Sequence, residues 1–224
     1  MALDVNKVRT TVDGIYRKNQ AGGYLTTAQF NNLAEKVQLD WYRSKLVQLG
    51  ATRLISKDLQ DIKVQSFIPA ATVARVGAQA SLPSDYWEQG SVSVAFGYTK
   101  DGVQKTGRAP ATEMDDMEFD AVVYSEAFAP TKEYPVYKMT NGTITLLPDD
   151  IQEIGLVYFK YPDAPAWVAV SPIVNNREQY SSVNSTQFTV PEDAFDDIVD
   201  MILFELGVST RDGLVIQTSA QDGK

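Results

Sequence analysis

The chain has 224 residues, 44% of them hydrophobic and 22% charged, and a formal net charge of −9. It contains no cysteine and no histidine, which excludes disulfides, thiolate metal sites, cysteine nucleophiles and any catalytic triad that needs an imidazole. The length suits one domain with a substantial core, or a helical layer carrying a β-rich insertion.

Charge is spread unevenly: +4 over residues 1–65, −7 over 66–190 and −6 over 191–224. A basic end and an acidic end on one chain can meet across subunits, because head-to-tail interfaces join different surfaces of identical copies. Two solvated faces would give the same pattern. No segment combines the basic flank and apolar run of a signal peptide, and no window approaches the roughly 18 apolar residues of a membrane span. The expectation is a soluble protein made in the cytoplasm, with no membrane partner.

The first predicted element is a helix over 4–17, with Asp4 as N-cap and Val5, Val8, Val12, Ile15 and Tyr16 along one face. Residues 19–23, Asn-Gln-Ala-Gly-Gly, break it. A long amphipathic helix then runs over 27–49, with Phe30, Leu33, Ala34, Val37, Trp41 and Leu46 on its apolar face and Gly50 at its end. Thr26 and Gln29 have the spacing of a capping box. Joined by a short loop, the two helices are expected to form an antiparallel hairpin.

Residues 51–65 allow a short helix through Leu54, Ile55, Leu59 and Ile62. From Phe67 to Val190 the punctuation is proline, glycine and asparagine between short β-branched and aromatic runs, which is a strand pattern. The strongest local signal is Asn141-Gly142 between two alternating runs within 134–148, a type I′ hairpin. Further strands are expected at 91–98, 119–124, 154–160 and 186–190, mostly antiparallel, because no segment from 91 to 190 reads as a crossover helix. Pro191 opens a last helix whose acidic first turn suits the dipole, with Phe195, Ile198, Val199, Ile202, Leu203 and Leu206 as its stripe and Gly207 as its C-cap.

The expected fold class is therefore α+β: a helical bundle, built from an N-terminal helix hairpin and a C-terminal helix, with a large antiparallel β-rich insertion. In residue terms, 1–65 and 191–208 make the helical core, 66–190 the insertion and 209–224 a C-terminal tail. The tail carries Leu214, Val215 and Ile216 among polar residues. It either frays or adds to a neighbouring protein as a strand.

Three features invite a chemical reading. Residues 102–108, Gly-Val-Gln-Lys-Thr-Gly-Arg, resemble a phosphate loop but lack the Lys-Ser/Thr pair and a following helix, so they read as a loop between strands. Glu113, Asp115, Asp116, Glu118 and Asp120 form an acidic cluster without EF-hand spacing. A solvated loop is the plainer reading; in an assembly, Asp115, Asp116 and Glu118 facing a channel would repel DNA phosphates. Aromatic residues are frequent between 86 and 167, Trp87 and Trp167 among them, yet few basic residues lie between them, which argues for core and subunit contact over nucleic-acid binding.

Taken in order, these residues resemble a known family. Helix, then Gly23-Tyr-Leu-Thr-x-x-x-Phe-Asn helix, then Leu82-Pro-Ser-Asp-Tyr86, then Leu147-Pro148 leading to Val157-Tyr-Phe-Lys-Tyr-Pro162 with Trp167, and finally Phe188-Thr-Val-Pro-Glu192 are similar to the head–tail connector proteins of tailed bacteriophages, closest to ring or adaptor proteins of crAss-like short-tailed phages. The resemblance implies a non-enzymatic structural virion protein without cofactor. It would form a homo-oligomeric ring of twelve copies at the portal–tail junction, made in the host cytoplasm and contacting portal and neighbouring tail or ring proteins. Genomic DNA would pass through during ejection without specific binding. It would also give Leu214, Val215 and Ile216 a docking role on the portal, with Trp87 and Trp167 as further interface candidates. Alternatives are another tail subunit, of tube or baseplate, or a carbohydrate-binding β module displaying Trp87 and Trp167.

Overall fold

A computed structural model describes residues 2–19, 25–49, 59–73, 77–125, 129–151, 153–170 and 178–208. Of the expected short helix at 51–65, residues 51–58 lie outside these, as does the tail with Leu214, Val215 and Ile216, while 59–62 form a turn and 63–65 open a strand, whose alternating exposure overrides the helical reading. The fold is α+β. The chain divides into two compact units, one made of residues 1–61 and 162–224, the other of 62–161. The β insertion is thus narrower than 66–190, because residues 162–190 belong with the helices.

In the helical unit, α1 (Val5–Asn19) starts where Asp4 accepts from the Asn6 N–H at 2.8 Å, and it ends on Arg17 and Lys18, which complement the dipole. Helix α2 (Thr27–Leu49) opens on the predicted capping box: the Gln29 N–H donates to Thr26 Oγ1, and the Thr26 N–H donates to Gln29 Oε1 at 3.1 Å. The last helix (Phe195–Glu205 in the structure) follows a 3₁₀ turn at Glu192–Ala194. It finishes in a Schellman motif, with Gly207 at φ +70°, Val208 N–H donating to Leu203 O and Gly207 N–H donating to Phe204 O.

The expected helix hairpin is not the main contact. Both α1 and α2 pack on the last helix, and Trp167 bonds to both of them, through Asn6 and Asn31. That segment contains no strand among the described residues; the one expected at 186–190 is replaced by isolated bridges, Ala166 to Thr186 and Ala169 to Tyr180. Leu3 pairs with both Phe188 and Val190 through its backbone. With few ladder bonds available, side chains of α2 supply the rest. Asn31 donates to the Trp167 carbonyl and accepts from its N–H, and Gln38, seven residues on and so on the same face, donates to Asp163 O and accepts from Thr189 N–H at 2.8 Å.

The β unit holds two sheets. One orders β1 (Lys63–Pro69), β9 (Glu153–Lys160), β4 (Tyr86–Lys100) and β5 (Val103–Pro110), all antiparallel. The other orders β2 (Ala71–Val73), β3 (Gly77–Ser81), β8 (Thr143–Leu147), β7 (Val136–Thr140) and β6 (Thr112–Glu113). One core is shared: Val92, Val94, Ile154 and Leu156 from the first meet Ala78, Ile144 and Leu146 from the second. The predicted hairpin is β7–β8, with Asn141 and Gly142 at φ +49° and +74°. A second turn of the same kind, Asp101-Gly102 at +57° and +76°, joins β4 to β5, so residues 103–108 form a strand and not the loop read from sequence.

One expected strand is a helix. Residues 119–124 fall in and just beyond α3 (Asp116–Val123), which lies between β6 and its parallel neighbour β7. This is the crossover that the sequence did not suggest. The β-branched Val122 and Val123 pull the reading toward strand, but Asp115 accepts from the Glu118 N–H at 2.7 Å and Phe119 is buried, so a capped turn with one apolar anchor decides the outcome.

Two consequences are measurable. Gln38→Met keeps the volume but leaves the Thr189 N–H without its acceptor, so the helical unit should lose about 1–3 kcal/mol in urea denaturation. A change under 0.5 kcal/mol would remove Gln38 from this role. In the β unit, Tyr137 and Tyr158 are both pushed up to about 12 from 10.0, first by burial and then by Glu113 and Asp85 respectively. Both are raised above the unfolded value, so their contribution is complete below pH 10 and fades as pH rises toward about 12. Replacing both with Phe should flatten the fall in stability across that window; an unchanged profile would refute the assignment.

Candidate functional site

The densest polar constellation is built around Arg9, which lies beside Val8 and Val12 on α1 and is buried. Its guanidinium lies 3.7 Å from the Trp167 ring centroid and 5.7 Å from that of Phe30. Nη1 donates to Thr27 Oγ1 at 2.9 Å, and Nη2 donates to Glu178 Oε2 at 3.1 Å. Thr27 Oγ1 donates to the same carboxylate oxygen at 2.7 Å, while Asp13 sits 3.7 Å from Nε. Burial raises the Asp13 carboxyl above its ordinary value, and the Arg9 charge opposes the rise. The cation is thus stacked, hydrogen-bonded and faced by two carboxylates. Its ring partner is equally engaged, because Trp167 Nε1 donates to Asn6 Oδ1 at 3.1 Å. Such a closed set of contacts fixes structure.

This placement corrects the reading of Trp167 as an exposed interface or sugar platform, since it is only 5% exposed. Trp87 is half-buried, with its ring 5.7 Å from Tyr161 in an edge-on arrangement. It lies at a register shift in the β4–β9 pairing, between Tyr86 and Glu88. The two tryptophans fall in different units.

The acidic cluster resolves into separate tasks. Asp115 caps α3; Asp116 and Asp120 each lie 3.2 Å from Lys138 Nζ, which also stands over the Phe119 ring. Glu113 takes part in the Tyr137–Gln89 network. Glu118 is exposed in the first helical turn, where negative charge suits the dipole. Among the described residues no group of three or more acidic side chains is placed to hold a metal ion.

The phosphate-loop resemblance disperses in the same way. Lys105 sits on an exposed strand, and Arg108 stands over the Phe67 ring at 4.4 Å with Glu153 at 3.9 Å. The two basic groups, three residues apart on β5, point to opposite faces of the strand and are not gathered around a helix N-terminus.

Arg9, Asn31 and Gln38 were not singled out in the sequence. Their signal was there, as polar residues inside or beside apolar stripes: Arg9 follows Val8, and Gln38 follows Val37. No helix among the described residues is long and apolar enough to cross a membrane. Comparison with protein-family profiles and with curated proteins finds no match to this chain.

Removing the cation should be costly. Arg9→Met strands Glu178 and Asp13 beside an apolar side chain and is expected to cost about 3–5 kcal/mol. Arg9→Lys should recover only part, because an ammonium cannot stack on Trp167 and bridge Thr27 and Glu178 together. Chemical denaturation tests both variants, and an Arg9→Met protein as stable as the parent would overturn this reading.

Proposed function

We propose that the protein is a structural subunit of a tailed-phage virion, a head–tail connector that assembles as a ring at the portal–tail junction and lets DNA pass. The observation that carries this reading is the inserted architecture. The two ends of the chain build one helical unit, and a complete β unit is carried between them. That is the arrangement implied by the resemblance of the residues around 23–42, 82–86, 147–167 and 188–192 to connector proteins.

The polar groups support a structural role. Arg9, Asn31, Gln38, Asp115 and Lys138 are each engaged in holding backbone or side chains of the same unit. What remains outward-facing is suited to contact: a basic first third, acidic later parts, and exposed Met117, Tyr124, Tyr134 and Phe204. Burial of Trp167 removes half of the aromatic pair on which a carbohydrate-binding module would rest.

The reading is tested by mixing the purified chain with its cognate portal protein and examining the product by native mass spectrometry and electron microscopy. The expected product is a closed ring of about twelve subunits seated on the portal. A chain that stays monomeric and ignores the portal under virion-like salt would reject it.

A further inference from the structure

The strands β4 and β5 extend past the sheet that holds them. Pairing of β4 with β9 stops at Ala95 and Glu153, whereas pairing of β4 with β5 continues to Lys100 and Val103. Among the described residues, 96–100 and 103–107 therefore pair only with each other, as a two-stranded ribbon closed by the Asp101-Gly102 turn. Such ribbons are marginal in water unless something packs on them.

One face of this ribbon is prepared for contact. Tyr98 stands opposite Lys105 and Phe96 opposite Gly107. A Cβ at Gly107 would come within 3.0 Å of the Phe96 ring and 3.2 Å of the Tyr98 ring, so glycine lets both rings lie across the strand. Phe96 packs against the core, while Tyr98 and Val103 are 41% and 57% exposed. The ribbon is also basic in an acidic protein: residues 96–107 carry Lys100 and Lys105 against Asp101, a net +1 in a chain of −9.

The complementary chemistry is on the same chain. Helix α3 exposes Met117 (84%), its C-cap Tyr124 is exposed as well (88%), and the exposed carboxylate of Glu118 lies next to Met117 in the first turn. Large apolar groups this exposed, flanked by acid, match a face that is apolar and basic. Both surfaces are open within one copy, so the ribbon does not cover its own α3.

We propose that residues 96–107 are an assembly arm that docks on α3 of a second copy of this chain. Tyr98 and Val103 meet the face that carries Met117 and Tyr124, and Lys105 meets Glu118. Arm and acceptor are different surfaces, so the contact is heterologous and propagates from copy to copy instead of closing a symmetric pair. It rests on the connector reading only in that the copies then close into a ring.

Charge exchange on the full-length chain tests this. Lys105→Glu and Glu118→Lys, both exposed positions, should each weaken self-association about tenfold by placing like charges together, as read by native mass spectrometry and by sedimentation at several concentrations. Mixed, the two variants should regain association by alternating, because each arm then meets an acceptor of opposite charge, and the double variant, with both changes in every copy, should likewise regain most of the parental association. Unchanged melting of each variant would show that folding is intact. If the parent forms rings and Lys105→Glu leaves them unaffected, the arm is refuted while the ring stands. If the parent does not associate, alone or with portal, both readings fall.

Discussion

The stacked guanidinium of Arg9 is the contact on which the helical unit depends. That unit is assembled from two stretches separated by residues 62–161, so no local sequence keeps its halves together. Arg9 reaches α2 through Thr27, the returning segment through Glu178 and the aromatic core through Trp167. A buried charge is expensive to desolvate, and the expense is met here only because every side of the guanidinium finds a partner. An arginine suits the position because a planar cation can stack and bridge at once.

Asn31 and Gln38 solve a related problem. The described residues of 162–190 have little regular structure, and their backbone groups would be left unsatisfied when packed against helices. An amide side chain offers N–H donors and a carbonyl acceptor in one plane, the same kinds of group that a strand would present. Placing two such amides seven residues apart lets α2 act as a partner strand of only two rungs. The amphipathic stripe around Phe30, Ala34, Val37 and Trp41 provides the burial, and the amides set the register.

Legibility in the sequence followed how local the deciding interaction was. Capping at Thr26, the Gly207 terminus and the Asn141-Gly142 turn are settled within a few residues, and each was readable. The Asp101-Gly102 turn was equally local but was overshadowed by the glycine spacing of a phosphate loop. For α3, the pattern Asp115-x-x-Glu118 was a helix start, read instead as a cluster of charge. The linkage of α1 and α2 by residues 162–190, and the burial of Trp167, depend on contacts more than a hundred residues apart in sequence. Periodicity cannot report such contacts. For the candidate surfaces, the residues were visible in the sequence, but exposure separates Met117 and Tyr124 from the aromatic residues that fill the core.

The insertion itself has a simple physical basis. Its first and last strands, β1 and β9, are antiparallel neighbours, and Lys63 stands opposite Phe159 while Lys160 N–H donates to Ile62 O at 2.8 Å. The chain therefore enters and leaves the β unit at nearly the same point. Seen from the helical unit, a hundred-residue excursion acts like a short loop, and its closure is supplied by the β unit's own ladder. The β unit can then lengthen a hairpin or expose a helix face without straining the Arg9 cluster, because the pairing that joins its ends lies in β1 and β9 and not in the β4–β5 ribbon or α3. Surfaces for contact can change while the element that holds the chain ends together is left intact.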